Sequence, residues 1–161
     1  PGDRVALAAP GYPCYRNILT ALDIEPVIVP MEADTKFQPN VEALEQVQRE
    51  MGEHLDGLII ASPSNPVGAV VPDAELRKIA AMAAAHDIPV IPHGGGQRDA
   101  VHFIYATQNS PWAEMFMPAP GGPDVVYERY EEDNNLTRGP EGIYTTPSNE
   151  PGFGWQVEPV A

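Results

Sequence analysis

Gly57-Leu58-Ile59-Ile60-Ala61-Ser62-Pro63-Ser64-Asn65-Pro66-Val67-Gly68 is the stretch whose reading decides the fold. The apolar run Gly57–Ala61 is too short for a helix and rich in branched side chains, and Ser-Pro-Ser-Asn-Pro stops it at once, so it reads as a buried strand opening into a structured turn. Helical patterns flank it. Val41–Met51 precedes it and Ala74–Ala85 follows, with apolar residues three and four apart and with Asn40 and Asp73 as expected N-caps. Further out, Arg4–Ala8, Pro26–Val29 and Ile88–Ile91 repeat the short apolar run, and Tyr15–Leu22 repeats the helical spacing. Strands alternating with helices predict an α/β fold: a partial parallel sheet of three or four strands with flanking helices.

After Pro92 the rhythm stops. Five of the 14 glycines precede residue 92 and nine follow it, so glycine marks a change of texture there. Gly94-Gly95-Gly96 leads to an expected helix over Asp99–Ala106, and Trp112–Met117 reads as a short strand. From Pro118 onward Pro, Gly, Asp and Glu dominate, with turn signals at Gly122-Pro123 and Asn134-Asn135, which predicts an irregular Pro/Gly-rich tail. Two parts are expected, residues 1–91 and 92–161.

The 161 residues, 43% hydrophobic and 20% charged, suit a globular chain with a sizeable core. A net charge of −14 argues against nucleic acid and anionic membranes, which require Lys and Arg to displace counterions. The charge does not separate the parts, because each nets −7. No apolar run is long enough to span a membrane. Cys14 is the only cysteine, which excludes an internal disulfide and suits a reducing cytoplasm. Cys14 itself reads as a buried or half-buried bystander. The start, Pro1-Gly2-Asp3-Arg4, carries neither Met nor a signal-peptide pattern and reads as cut from something longer.

Two strand-end motifs carry the first functional reading, at the edge where open α/β sheets hold ligands. They are Pro10-Gly11-Tyr12-Pro13-Cys14-Tyr15 and Ala61-Ser62-Pro63-Ser64-Asn65-Pro66-Val67-Gly68. Taken singly, Tyr12 is as readily a turn aromatic, and Asn65 a side chain organising its own turn. In this order and spacing, residues 1–91 resemble the large domain of class I/II, fold type I, pyridoxal-phosphate-dependent aminotransferases. The resemblance implies pyridoxal phosphate as cofactor, with Tyr12 stacking on its ring and Asn65 bonding its phenolic oxygen. The same family supplies an Asp to the pyridinium nitrogen directly after the strand matching Pro89-Val90-Ile91; here Pro92-His93-Gly94 stands there. It also supplies a Schiff-base lysine farther on. The chain's lysines, Lys36 and Lys78, both precede that point.

A second series runs from Val90-Ile91-Pro92-His93-Gly94-Gly95-Gly96 through His102-Phe103 and Asn109-Ser110-Pro111-Trp112-Ala113-Glu114 to Pro151-Gly152-Phe153-Gly154. It resembles the last part of the barrel domain in the mandelate racemase branch of the enolase superfamily, rhamnonate-dehydratase-like. The resemblance implies His93 as general acid/base and Glu114 as partner of the substrate carboxylate. It also implies Mg²⁺, whose acidic ligands belong to barrel strands that this chain lacks, so no metal ligand is assigned. Outside that pattern, a histidine by a glycine turn and an acid at a strand end are ordinary solvated groups. His-Gly-Gly-Gly also opens esterase oxyanion holes, but no Gly-x-Ser-x-Gly elbow occurs.

The sequence thus predicts a chimeric chain with small-molecule substrates in its parent families and with neither chemistry complete: amino transfer lacks its lysine and aspartate, and dehydration lacks its magnesium site. A chain that only folds, with no selected function, satisfies the same text. Oligomeric state is open.

Overall fold

The computed structural model describes residues 1–93, 98–112, 114, 136–140, 142–145 and 149–150. Two compact units divide the chain, Pro1–Ile88 and Pro89–Ala161.

In the first unit, β1 (Arg4–Ala9) is followed by α1 (Pro13–Ala21), β2 (Glu25–Pro30), α2 (Val41–Met51), β3 (Gly57–Ile59) and α3 (Asp73–Ala85). The sheet is parallel with order β2-β1-β3. Leu7 of β1 registers with Ile28 on one side and Ile59 on the other. Only small and aliphatic side chains follow Arg4 in β1, as suits a central strand; Ala6 and Leu7 are buried. Pro26 sits in β2, an edge strand, where a missing N–H is tolerated.

The core of this unit joins Ala6, Val29, Met31, Leu44, Leu55 and Ile79. Helix α2 supplies Leu44 because Val41, Leu44, Val47 and Met51 recur on one face. Asn40 starts this helix, its side-chain oxygen accepting from the Ala43 N–H at 2.9 Å, and Gly52, in the left-handed region, ends it. Glu75 of α3 ties the two helices together: its Oε1 accepts from the Val41 N–H at 2.9 Å and its Oε2 from Lys78 Nζ at 3.1 Å. The expected N-cap at Asp73 is corrected: Pro72 holds that position, without a side-chain cap, and Asp73 lies in the first turn, where its charge still favours the helix N-terminus.

Three strand expectations change. The Gly57–Ala61 strand pairs only as far as Ile59. Ile88–Ile91 forms no strand. Pro89 and Pro92 remove ladder donors, the Ile88 N–H turns back to the Ala83 carbonyl, and the Val90 N–H bonds the Asn109 carbonyl at 2.8 Å. The Val90 carbonyl accepts from Ser110 Oγ at 2.6 Å, so both of its backbone groups are used within the second unit. Trp112 and Glu114 are not in a strand, and the rest of the expected Trp112–Met117 strand lies outside the described residues.

In the second unit, α4 (Arg98–Ala106) forms as expected and buries Val101. Two short strands, β4 (Leu136–Gly139) and β5 (Gly142–Thr145), pair antiparallel inside the stretch expected to be irregular. Most of the remaining Pro/Gly-rich tail lies outside the described residues.

Replacing Asn40 by Ala removes the α2 cap and lowers stability by about 1 kcal/mol, whereas Asn40→Asp keeps most of it; urea-melt midpoints of the three chains check this. The Val41 N–H, ahead of the Lys78 contribution and against a smaller opposing effect of burial, holds the Glu75 carboxyl below its ordinary pKa. A depressed folded pKa stabilises the chain above the unfolded value, and that gain is lost as pH falls through the folded value. The Glu75→Gln chain therefore shows a shallower loss of stability than the parent below about pH 4, read from melts across an acid series.

Candidate functional site

Because β1 pairs in parallel with β2 and β3, the chain leaves all three strands at one carboxyl edge. The connection from β1 carries Tyr12, and the longer connection from β3 carries Asn65. Gly11 is required in the first: a Cβ there would strike the Ala8 carbonyl oxygen. Tyr12 is the N-cap residue of α1, and Pro13 then sets the first helical φ. Tyr12 is 42% exposed, and its ring meets that of Tyr15 edge-on, centroids 5.5 Å apart at 83°. A side-chain hydrogen bond with Cys14 is the main cause that raises the Tyr12 phenol above its ordinary pKa, so it stays neutral through the physiological range. Cys14 is half-buried, as expected.

The Asn65 connection is organised without the Asn65 side chain. The Gly68 N–H donates to the Ser64 carbonyl at 2.7 Å and the Ser64 N–H to the Ala69 carbonyl at 2.8 Å. Gly68 adopts φ +76, which favours glycine. Ser62 Oγ accepts from the Val71 N–H at 3.1 Å, and the buried Gln38, reaching across from the connection after β2, donates Nε2 to the Ala69 carbonyl. Asn65 is exposed, and its side chain makes no hydrogen bond among the described residues. The reading in which Asn65 serves its own turn is therefore not needed. Gln38 and Ser62 were not singled out from the sequence. Ser62 stood inside the quoted motif, but Gln38 lies 31 residues from Ala69 and gave no local signal.

The position expected to bind a pyridinium nitrogen holds Pro92-His93, as the sequence shows. Of the lysines, Lys36 is exposed in the connection after β2, with φ +54. Lys78 lies on α3 with its ammonium on Glu75, and that hydrogen bond, then the carboxylate's charge, raises its pKa and keeps it protonated. An ammonium is not a nucleophile. The described residues thus offer an aromatic ring and an amide at one sheet edge, which fit part of pyridoxal phosphate. They do not supply the amine and carboxylate its chemistry needs, and no step through that cofactor follows from them.

In the second unit the structure brings His93 and Glu114 together. His93 Nδ1 lies 2.8 Å from Glu114 Oε2, with the two side chains 86% and 39% exposed. This open pair has the composition of an acid/base dyad, but each group is the other's neighbour instead of facing a separate substrate atom. Among the described residues no three His, Cys, Asp or Glu side chains form a group that could hold a metal ion, and no helix is long and apolar enough to cross a membrane.

Comparison with known proteins agrees with both halves of this picture. The family described as Aminotransferase class I and II matches residues 1–92, and the family described as Enolase C-terminal domain-like matches residues 74–161. A valine–pyruvate aminotransferase of Mycobacterium tuberculosis is 49% identical over 90 residues, 56% of this chain and 22% of its own length. An aspartate aminotransferase of Pyrococcus abyssi is 34% identical over 106 residues, 65% of this chain and 25% of its own length. Among solved structures, an aminotransferase from Mycobacterium tuberculosis superposes with a TM-score of 0.50 at 48% identity, over 56% of this chain and 23% of that one. The aspartate aminotransferase of Rhizobium meliloti gives 0.50 at 26%, over 56% and 22%. The chain therefore spans about a quarter or less of the length of these relatives. Each family match covers more than half of the chain, which belongs to the class I and II aminotransferases over residues 1–92 and to the enolase C-terminal domain-like family over residues 74–161.

Proposed function

We propose that this chain is a fusion of an aminotransferase large-domain segment, residues 1–91, with the end of a dehydratase-like barrel domain, residues 92–161, and that it turns over neither parent reaction. The observation that carries this reading is the half-built carboxyl edge. Adjacent strands deliver Tyr12 and Asn65 to it, while Lys78 is tied to Glu75 and Pro92-His93 stands where a carboxylate is needed. Tyr12 and Asn65 are the residues that would face pyridoxal phosphate. The net charge and the single cysteine favour small-molecule ligands and a reducing, cytoplasmic setting over nucleic acid or membrane.

A second reading, an acid-sugar dehydratase, draws on the His93–Glu114 pair. It fails for a charge reason. An enediolate needs a cation to hold its developing charge, and the Mg²⁺ ligands of that family lie on strands absent from this chain.

Incubating the chain with pyridoxal phosphate, L-valine and pyruvate yields no alanine above the protein-free control, and Asn65→Ala gives the same cofactor absorbance titration as the parent. Measurable alanine, or a spectral shift lost in Asn65→Ala, overturns the inactive reading. With Mg²⁺ and rhamnonate, no 2-keto product forms; its appearance would revive the dehydratase. Single-molecule reads of the source DNA across the codons for Ile88 to Gly96 test the fusion itself, which a split into two separate genes at that point would sink.

A further inference from the structure

We infer that His54 and His86 form a surface chelate for one borderline divalent transition cation, of the Zn²⁺, Ni²⁺ or Cu²⁺ class. The site lies in the first unit and owes nothing to either parent chemistry proposed above.

His54 stands between Gly52, the C-cap of α2, and the start of β3; His86 is the C-cap residue of α3. Their ring centroids are 4.9 Å apart, with planes tilted by 48°. That tilt is neither a stack nor an edge-on contact, and the spacing lets two imidazoles share one ion after rotation about exposed side-chain bonds. Both residues are exposed, so no packing opposes that rotation. Among the described residues neither imidazole takes part in a hydrogen bond or ion pair, which leaves their ring nitrogens available.

The surrounding field favours a cation. His86 caps the C-terminal end of α3, where the backbone dipole is negative, and His54 lies two residues past the C-cap of α2. The nearest acidic groups along the chain are partly committed elsewhere. Asp56 accepts from the Arg4 N–H at 2.7 Å, and Glu53 pairs with the Arg4 guanidinium. Asp87, next to His86, takes a left-handed φ of 56. Among the described residues no third protein ligand joins the pair in a metal-holding group, so water completes the coordination. Imidazole selects borderline transition ions over hard ones, so Mg²⁺ is not a ligand for this pair. A bound ion would tie the end of α3 to the α2–β3 connection, immediately before the first unit ends at Ile88.

Calorimetric titration of the full chain with Zn²⁺ in metal-free buffer tests the site. The parent binds one ion, and His54→Gln or His86→Gln each weakens binding on the order of 10²-fold, because a two-point chelate becomes a single contact. Both substitutions are at exposed positions and leave the far-UV circular dichroism unchanged. His93→Gln and Cys14→Ser leave the affinity as it was, and Mg²⁺ gives no heat. The inference is overturned if the parent binds no Zn²⁺, if either glutamine variant at 54 or 86 binds within twofold of the parent, or if binding is lost in His93→Gln or Cys14→Ser instead.

Discussion

Strand β1 is hydrogen-bonded on both sides, to β2 and to β3, and among the described residues it is the strand on which the rest of the first unit hangs. Its parallel register fixes more than a sheet. It sends the chain out of β1, β2 and β3 at one edge, so residues far apart in sequence, Tyr12, Gln38 and Asn65, all belong to connections that begin there. It also leaves Ala6 with no exposure at the floor of the core onto which Leu44 and Ile79 pack from α2 and α3. A polar strut between connections, Gln38 to the Ala69 carbonyl, depends on the same arrangement, since it joins the exit of β2 to the exit of β3 across β1.

What the sequence made legible follows from how local each determinant is. Helix α2 runs over Val41–Met51 as read, because a side-chain cap at Asn40 and a left-handed glycine at 52 bracket a clean apolar stripe. Its neighbour α3 was legible in extent, but its cap was not: an Asp after a Pro looks like a cap, and only the backbone conformation assigns that position to Pro72. Ile88–Ile91 was misread for a long-range reason. An apolar run promises a strand, yet the partners that satisfied Val90 are Asn109 and Ser110, which no local window contains. The β4–β5 pair was missed because four-residue strands such as Leu136–Gly139 carry too little periodicity to register. At the site, the motifs holding Tyr12 and Asn65 were readable as turn chemistry after strands. The edge-on Tyr15 contact follows from a three-residue spacing at the start of a helix, which brings two rings to one side.

Residues 74–92 satisfy both family descriptions at once, and the composition of α3 explains how one segment can serve two folds. Ala74, Ala80, Ala81, Ala83, Ala84 and Ala85 make it a helix by intrinsic preference, with Ile79 its buried residue. A helix with so strong a propensity of its own, anchored by the buried Ile79 and by Glu75 on the Val41 N–H, makes few demands on the segment that follows it. The apolar segment after α3 carries the text of a strand that either family would use, although here Ile88–Ile91 forms none. The α3 pattern shows no break across this stretch.

The chemistry is not so forgiving, and the reason is geometric. In open α/β sheets and in barrels alike, a reactive centre is assembled from the ends of several strands, whereas a core is assembled from neighbouring elements. A cut through such a fold severs the centre before it severs the core. The first unit has a central strand, both its neighbours and a packed pair of helices, with the Tyr12 ring and the Asn65 amide in the connections at its carboxyl edge. Under the proposed fusion, the amine and carboxylate of the aminotransferase chemistry are not supplied at this edge, and Lys78 of α3 is held by Glu75. In the second unit His93 Nδ1 and Glu114 Oε2 meet at 2.8 Å, and among the described residues no three His, Cys, Asp or Glu side chains form a group that could hold a cation. A histidine and a carboxylate this close use each other's hydrogen-bonding capacity, and on so exposed a surface the contact adds little to stability.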